Sequence, residues 1–471
     1  MDSHVASVSQ IAAIVKEFYA QKEPFRIYHG STNSTRKSQY ERERMVDTSG
    51  LNHILKIDTE TRTALVEPNV PMDALVEATL KHGLIPPVVM EFPGITVGGG
   101  FAGTAGESSS FRYGFFDRTV TSIEMVLGNG TLVQASSTGN ADLFYGAASS
   151  FGTLGVTTLL EIQLTEATSH VKMIYHRIEN IPQALGMIEE AARDNTVDYV
   201  DGIMYAKDHG VVCVGRRTNF VEGDKIQTFT RRSDPWFYLH VEQIFKSRRD
   251  TALEAIPIVD YLFRYDRGAF WVAKYAYKYF ITPFNRVTRW ILDYFMHTRV
   301  MYLALHKSGL SSQYIIQDVA IPYSEAEEFM EYLDANFKNY PIWICPLKQS
   351  GQAIASTHSL QVHKLNRKLP DMMLNFGVWG PGPKRRGEFV KWNREFEQKV
   401  HELGGQKWLY AHAYYTQEVR YVASHFSALV SSGEVKPRNL TVAVPLAQTP
   451  DCETDTSTLL GIRADLRSER V

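Results

Sequence analysis

Apolar residues Val8, Ile11, Ile14, Val15 and Phe18 recur at intervals of three and four, a spacing that predicts an amphipathic surface helix near the N-terminus. Beyond it the period changes. Phe25–Gly30, "FRIYHG", alternates into a glycine, and residues 45–70 read as strand, turn and strand, with "ILKID" and "TALVEP" forming a hairpin about the Thr59–Thr61 turn. Helical spacing returns at Met72–Gly83, with Pro71 ahead of it and Gly83 as its stop. "VTSIEMVLGNGTLVQAS" predicts two strands about an Asn-Gly turn, and "ADLFYGAASSFGTLGVTTLLEIQLTEA" a helix, a Gly-x-x-Gly turn and a long strand. Residues 1–168 therefore read as an α+β domain rich in antiparallel pairs.

From residue 169 the texture is different. "IPQALGMIEEAARDN" and "SEAEEFMEYLDANFKNY" carry helical spacing, while "VDGIMYAKDHGVVCVGRR", "PIWICPLK" and "MMLNFGVWG" read as strands of a second α+β unit over 169–418. Between Trp236 and Tyr302 stand 18 aromatic residues in 67 positions, about twice the 12% of the whole chain, interleaved with arginines and lysines. That segment has three readings: ordinary core and surface, an apolar pocket for a polycyclic or isoprenoid substrate, or peripheral membrane contact. Residues 419–471 lose periodicity and read as a partly disordered tail.

Composition narrows the function classes. With 44% apolar and 22% charged residues, the chain has the profile of a globular protein with a large core. A net charge of −2 argues against a nucleic-acid partner. Cys213, Cys345 and Cys452 are odd in number and far apart, which argues against a disulfide framework or a zinc site and fits a reducing compartment; no metal is expected. The N-terminus lacks the basic start and unbroken apolar stretch of a signal peptide, and no apolar run of about 18 residues occurs. A cytoplasmic protein without a transmembrane helix is the expectation.

The stretch "TVGGGFAGTAGESSSFRYG", Thr96–Gly114, has a composition that no packed helix or strand interior favours. Gly98–Gly103 matches the G-x-G-x-x-G dinucleotide fingerprint literally. The segment before it, "PPVVMEFPGI", carries three prolines, and the segment after it, "TAGESSSFRYG", is a poor helix former, so the stretch reads as a glycine-rich loop instead. "HGSTNS", His29–Ser34, is either a plain polar turn or a nest of backbone amides for phosphate oxygens. Two such loops about 65 residues apart in sequence could together cradle a long diphosphate cofactor.

In order along the chain, "HGSTNS", "LVEPNVPMDAL", "TVGGGFAGTAGESSSFRYG", "VLGNGTLV" and "DLFYGAASSFGTLGVTTLLEIQL" resemble the FAD-binding fold of vanillyl-alcohol oxidase and p-cresol methylhydroxylase. Within that superfamily the chain is similar to the sterol Δ24-reductases, on "GESSSFRYG", "DPWFYLHVE", "FWV" after Arg267, "IIQDVAIP", "YPIWICP" and "LYAHAYY", which keep the family's order across residues 5–418. The resemblance implies a two-subdomain FAD-binding domain over 1–168, a substrate-binding cap domain over 169–418 and a divergent tail. It implies that Gly30, Ser31, Thr32, Asn33 and Ser34 wrap the FAD diphosphate. Several relatives attach the flavin to a histidine in that loop; Asn33 stands there, so the FAD is expected to be non-covalent. The stretch from Thr96 to Tyr113 would pass along diphosphate and isoalloxazine, with Gly98, Gly99, Gly103 and Gly106 permitting close approach and Thr104, Ser108 and Ser109 donating hydrogen bonds. The Gly152–Gly155 turn would close over the adenine side.

Four residues are candidates for catalysis under that resemblance. Glu107 either orients the flavin and helps deliver a proton or caps a neighbouring amide. His412 lies on a predicted strand, "LYAHAYY", and is either a proton donor or a histidine packed among tyrosines; Tyr410 and Tyr414 share its alternate face. Animal sterol Δ24-reductases carry an N-terminal membrane segment, whereas this chain starts directly at the flavin domain, and after Glu418 it leaves the family pattern. The implied activity is FAD-dependent reduction of a carbon–carbon double bond in a sterol or terpenoid-like lipid, with NADPH as electron donor, in the cytoplasm or at the face of the endoplasmic reticulum membrane. An FAD-dependent alcohol oxidase or dehydrogenase, and a lipid-binding flavoprotein without redox turnover, remain open alternatives.

Overall fold

The computed structural model describes residues 2–30, 41–148, 150–246, 250–308, 313–349 and 370–415. The roles expected of Ser31, Thr32, Asn33 and Ser34, and of the 419–471 tail, lie outside the described residues. Two antiparallel sheets organise an α+β architecture. The first has five strands in the order Ile54–Asp58, Thr63–Val66, Gly155–Gln163, Val120–Leu127, Leu132–Ser136. Its Asn-Gly turn closes as the sequence suggests: Gly130 takes φ +82°, a conformation that only glycine adopts freely, and its N–H donates to Leu127 O at 2.8 Å. The N-terminal helix, Asp2–Gln21, buries Val8, Ile11, Val15 and Phe18 against Val126 and Val156 on one face of this sheet.

The second sheet has eight strands, ordered Thr251–Pro257, His170–Ile178, His209–Thr218, Tyr199–Ala206, Ile342–Lys348, Met372–Pro381, Tyr314–Pro322, Gln406–Lys407. Because side chains alternate along a strand, each strand feeds two cores. Val212 and Val214 face a core capped by the helices Ile181–Arg193, Ala326–Asn336 and Arg386–Glu402. Val211 and Cys213 face the other way, into a core that is continuous with Val66, Phe101 and Phe115 of the first half. The candidate chemistry lies along that shared core.

Two sequence expectations are corrected. The glycine-rich stretch is not a loop at its start: Val97–Gly103 is a helix, capped by Thr96 and ended by Thr104 in the left-handed region. Helix propensity loses to packing here. A Cβ on Gly98 would sit 2.7 Å from Pro68 Cβ and 3.0 Å from Pro68 O, and one on Gly100 would strike Met90 and Phe116. Only a helix bare on that side fits between these neighbours. A single further turn, Ser110–Tyr113, comes next. The second correction concerns "LYAHAYY", which is not a strand; the ladder stops at Gln406–Lys407. Beyond it side chains take the backbone groups a ladder would use: the Gln317 amide and Lys407 ammonium donate to His412 O at 3.3 and 3.0 Å, and Tyr414 N–H donates to Glu397 at 2.9 Å.

Substituting Gly98→Ala should cost about 1–3 kcal/mol, because the obstructing atoms belong to a proline and its backbone. A urea titration of the cofactor-free protein should show a lower midpoint at unchanged slope.

Candidate active site

The Gly98 contact is one link in a run that ties several sequence-predicted residues together. Gly98 N–H donates to Pro68 O at 2.7 Å, the Asn69 amide donates to Thr48 O, and Thr48 N–H donates to Tyr28 O at 2.8 Å. Tyr28 ends the strand Arg26–Tyr28, and His29 and Gly30 come directly after it. Gly152 rests on the same strand: its φ is +80°, and a Cβ there would lie 2.6 Å from Ile27 Cδ1. Gly155 is equally committed to the protein, 2.6 Å from Val126 O by the same measure, and Gly106 lies against Leu347 and Phe115.

Other glycines have no neighbour among the described residues that would exclude a side chain, although Gly30 takes φ +74°. Among the described residues nothing lies within 4 Å of where a Cβ would be on Gly30 or Gly103, and at Gly99 the hydroxyl of its own cap, Thr96, is the sole neighbour. Gly99 and Gly103 are four residues apart, so they share one face of the short helix. That face is bare backbone, adjacent to the packed side at Gly100. These positions leave room for a group laid against the main chain, as a long flavin cofactor requires.

After the helix the stretch turns inward. Thr104 donates its hydroxyl to Gly103 O at 2.7 Å, while its own carbonyl accepts from Trp408 Nε1 at 3.0 Å. Glu107 is 2% exposed and held by its neighbours: Ser108 Oγ donates at 2.6 Å and Ser109 N–H at 2.9 Å. Ser109 Oγ lies between Glu107 and Pro87 O, 2.7 Å away. Burial pushes the Glu107 carboxyl up, against the pull of the Ser108 and Ser109 donors. The hydroxyls expected to reach a flavin are therefore directed at Glu107, with Ser108 also 3.0 Å from Tyr261 OH. Tyr113 is half-buried at the end of the next turn.

Sequence reasoning passed over two acids nearby. Asp201 accepts from Arg264 Nη2 at 2.8 Å, Tyr265 OH at 2.9 Å and Trp343 Nε1 at 3.0 Å, and all four residues are buried. Asp318 accepts from Asn375 and Trp379, each at 3.3 Å, and closely from Tyr410 OH. Burial is the largest influence on Asp318 and raises its carboxyl to about 6, against the pull of those donors and of Lys407. Tyr410 is raised well above the ordinary phenol range, by burial first and then by the Asp318 charge. A signal was present: in "YVDGIMYA" and "IIQDVAIP" an acid occupies an inward position of an apolar strand, where only a partnered carboxylate is tolerable.

The three aromatic candidates separate. Tyr410 packs on the shared core, two residues beyond Trp408. Tyr414 belongs to the opposite core, beside Phe389, so the expectation that it shares a face with Tyr410 is corrected; without a strand there is no alternation to align them. His412 stacks edge-on to Tyr414 at 4.5 Å and contributes its carbonyl to the buried Lys407–Gln317 cluster.

Residues 3–136 match a family model described as an FAD binding domain. The chain is 28% identical over 394 residues to the Delta(24)-sterol reductases of Macaca fascicularis and Homo sapiens, an alignment covering 82% of this chain and 74% of each relative. It is 33% identical over 340 residues to the Delta(24)-sterol reductase of Arabidopsis thaliana, covering 68% of this chain and 59% of that one. The chain belongs to the sterol Δ24-reductase-like flavoproteins. It is an FAD-dependent oxidoreductase of that type, within the p-cresol methylhydroxylase superfamily of FAD-binding folds. For a flavoprotein of this family the bare backbone at Gly30, Gly99 and Gly103 is a fitting seat, and the Trp408–Thr104 bond brings the end of the second sheet to it.

The segment carrying Trp408 and Tyr410 is anchored by Lys407, fully buried 3.3 Å from Glu397. Lys407→Met should cost about 3–5 kcal/mol, since it leaves Glu397 buried without its cation. Adding Glu397→Gln should recover part of that loss, read by the same denaturation midpoint.

Proposed function

We propose that this flavoprotein reduces a carbon–carbon double bond of a sterol or terpenoid-like lipid, with FAD held non-covalently and NADPH as electron donor. The observation that carries the reading is the buried Tyr410–Asp318 pair, two residues from the indole that bonds to Thr104 at the end of the glycine helix. An isolated alkene is a poor hydride acceptor, so its reduction needs an acid as well as a reductant. FAD, when bound and reduced by NADPH, would supply the hydride for one carbon, and the chain must supply the proton for the other.

Tyr410 is the donor and Asp318 its reservoir. With Asp318 protonated the hydrogen bond between them reverses: the carboxyl donates to the Tyr410 oxygen, the phenol proton is free to move to carbon, and the net change is loss of the Asp318 proton. Asn375 and Trp379 fix the carboxyl in place, and the aromatic wall of Phe270, Trp343 and Trp379 keeps water away. Gly30, Gly99 and Gly103 would hold the cofactor against the main chain, with Thr96 and Thr104 closing the two ends of the helix. Asn33 stands where several relatives have the histidine that carries a covalent flavin. Glu107 orients this stretch through Ser108 and Ser109. Among the described residues no helix is long and apolar enough to cross a membrane, and a lipid substrate is reached by docking on one.

Acid denaturation should release a yellow supernatant, and anaerobic NADPH should bleach the native protein. Flavin that stays with the precipitate, or rapid reoxidation by air with peroxide, would overturn the reading in favour of a covalent flavoenzyme or an oxidase. Gly103→Ala should leave the stability of the cofactor-free protein unchanged while weakening FAD retention.

Because the relay needs Asp318 protonated, turnover should be flat below about pH 6 and fall as pH rises through that value. Tyr410→Phe should lower turnover about 10²–10⁴-fold without loss of flavin, and Asp318→Asn should remove the fall above pH 6 along with most of the rate.

A further inference from the structure

The exposed apolar side chains are concentrated in one place. Of the seventeen large hydrophobic residues exposed among the described residues, nine fall between Tyr279 and Phe295. Phe280 is 72% exposed, Ile281 91%, Val287 64% and Tyr294 71%, with Trp290 and Phe295 about half exposed beside them. Scattered apolar residues on a surface mean little, but a contiguous group marks a contact surface.

This group is held rigidly. It spans the end of the helix Ala273–Tyr279, the helix Arg286–Ile291 and the turn Asp293–Met296. Its base is Arg267, 2% exposed, which donates to Asp293 at 2.7 and 2.8 Å and to the carbonyls of Phe229, Arg232 and Asp234. His297 adds contacts to Asp266 at 2.5 Å and Asp293 at 3.4 Å. At the tip, Ile281 takes φ +51°, a left-handed conformation that a β-branched residue rarely adopts and that projects it into solvent.

The charges select the occupant. Lys278, Arg286 and Arg289 stand among the apolar side chains, and Arg232 lies 4.1 Å above the Trp290 ring. The one acid between Lys274 and Arg299 is Asp293, and it is turned inward onto Arg267. Apolar and aromatic residues interleaved with cations, without exposed acid, suit the boundary of a bilayer bearing anionic headgroups. A protein partner or a second copy would more often bring mixed charge to such a rim.

We infer that residues 279–295 form a membrane-docking hairpin that seats its apolar tip among the acyl chains and its cations on anionic headgroups. The helix Thr298–Ser308 continues from it toward the proposed site: Arg299 binds Asp73 at 2.8 Å, and Tyr302 packs 6.1 Å from Phe92, which lies 5.5 Å from Phe270. The choice of a lipid substrate rests on the proposed function. Docking itself does not, and it can be read without turnover.

The test is sedimentation of the full chain with vesicles of phosphatidylcholine alone and with about 30% phosphatidylserine. Binding should favour the anionic vesicles and weaken in high salt. The Phe280→Ser, Ile281→Asp variant should lose at least about tenfold in vesicle affinity, since both side chains would leave the acyl region. Aspartate accepts a left-handed backbone more readily than isoleucine, so the fold should survive. Its flavin spectrum and its turnover of detergent-dispersed substrate should match the parent. Wild-type protein remaining in the supernatant, or equal binding by the variant, would overturn the inference. So would concentration-dependent dimerisation that the variant abolishes, which would assign the face to a second copy. A protein that docks but shows no reductase activity would leave the hairpin standing and remove the proposed reaction.

Discussion

The carbonyls of Thr104 and Ser108 are buried at the seam between the two halves, and each is met from the second sheet. Trp408 Nε1 donates to the first at 3.0 Å and Val200 N–H to the second at 2.7 Å. A buried carbonyl left without a donor costs roughly 1–3 kcal/mol, so these two bonds constrain how the halves seat on each other. Much depends on that seating. Trp408 can reach Thr104 only because the Val97–Gly103 helix is pressed down onto Pro68, Met90 and Phe116, which requires glycine at 98 and 100. The same tryptophan carries Tyr410 with it, and Tyr410 meets Asp318.

The two inward acids show how partners divide structural from reactive carboxylates. Asp201 faces a guanidinium directly, and Arg264 is itself enclosed by Tyr261 at 4.1 Å and Tyr265 at 4.7 Å. That arrangement is a buried ion pair, stiff and committed to its place. Asp318 receives a phenol, an amide and an indole, all neutral donors, while Lys407 acts on it without a direct bond and spends its own contacts on Glu397, Gln317 and the His412 carbonyl. Asp318, surrounded by neutral donors and buried, is raised to about 6, where it can hold or release a proton.

Period and punctuation in the sequence located most elements: the N-terminal helix, the 54–66 hairpin, the Asn-Gly turn and the inward-outward alternation of the second half all arise from local pattern. The misreadings share a cause. At Val97–Gly103, intrinsic propensity predicted loop, but the deciding forces were contacts with residues some thirty positions upstream and the side chains of Met90 and Phe116, which no local window contains. At "LYAHAYY" the alternation was genuine, yet Gln317, Lys407 and Glu397 had claimed the backbone groups a ladder would need. Glycine content was read as space for a ligand; Gly98, Gly100, Gly152 and Gly155 are small because the protein itself fills the space, and within these loops Gly30, Gly99 and Gly103 are positions left open. Asp318 could be suspected from its place in an apolar strand, but its partner Tyr410 is 92 residues away and visible only in the fold.

The base of the 279–295 hairpin explains how one molecule keeps both a dry interior and an apolar exterior. An exposed cluster of that size would ordinarily collapse inward or recruit a neighbour, because water disfavours it. Here inward collapse is opposed by Arg267, whose donors are shared among Asp293 and three carbonyls; moving the hairpin would strand a buried guanidinium, at a cost of about 3–5 kcal/mol. Asp266 extends the anchor by accepting from Thr298 N–H at 3.0 Å, at the first turn of the helix that leads to Tyr302 and Phe92. The outward cluster and the inward acid are thus built on one rigid connection. A change at the bilayer face can reach the site through this helix, and its polar base makes such transmission stiff rather than compliant.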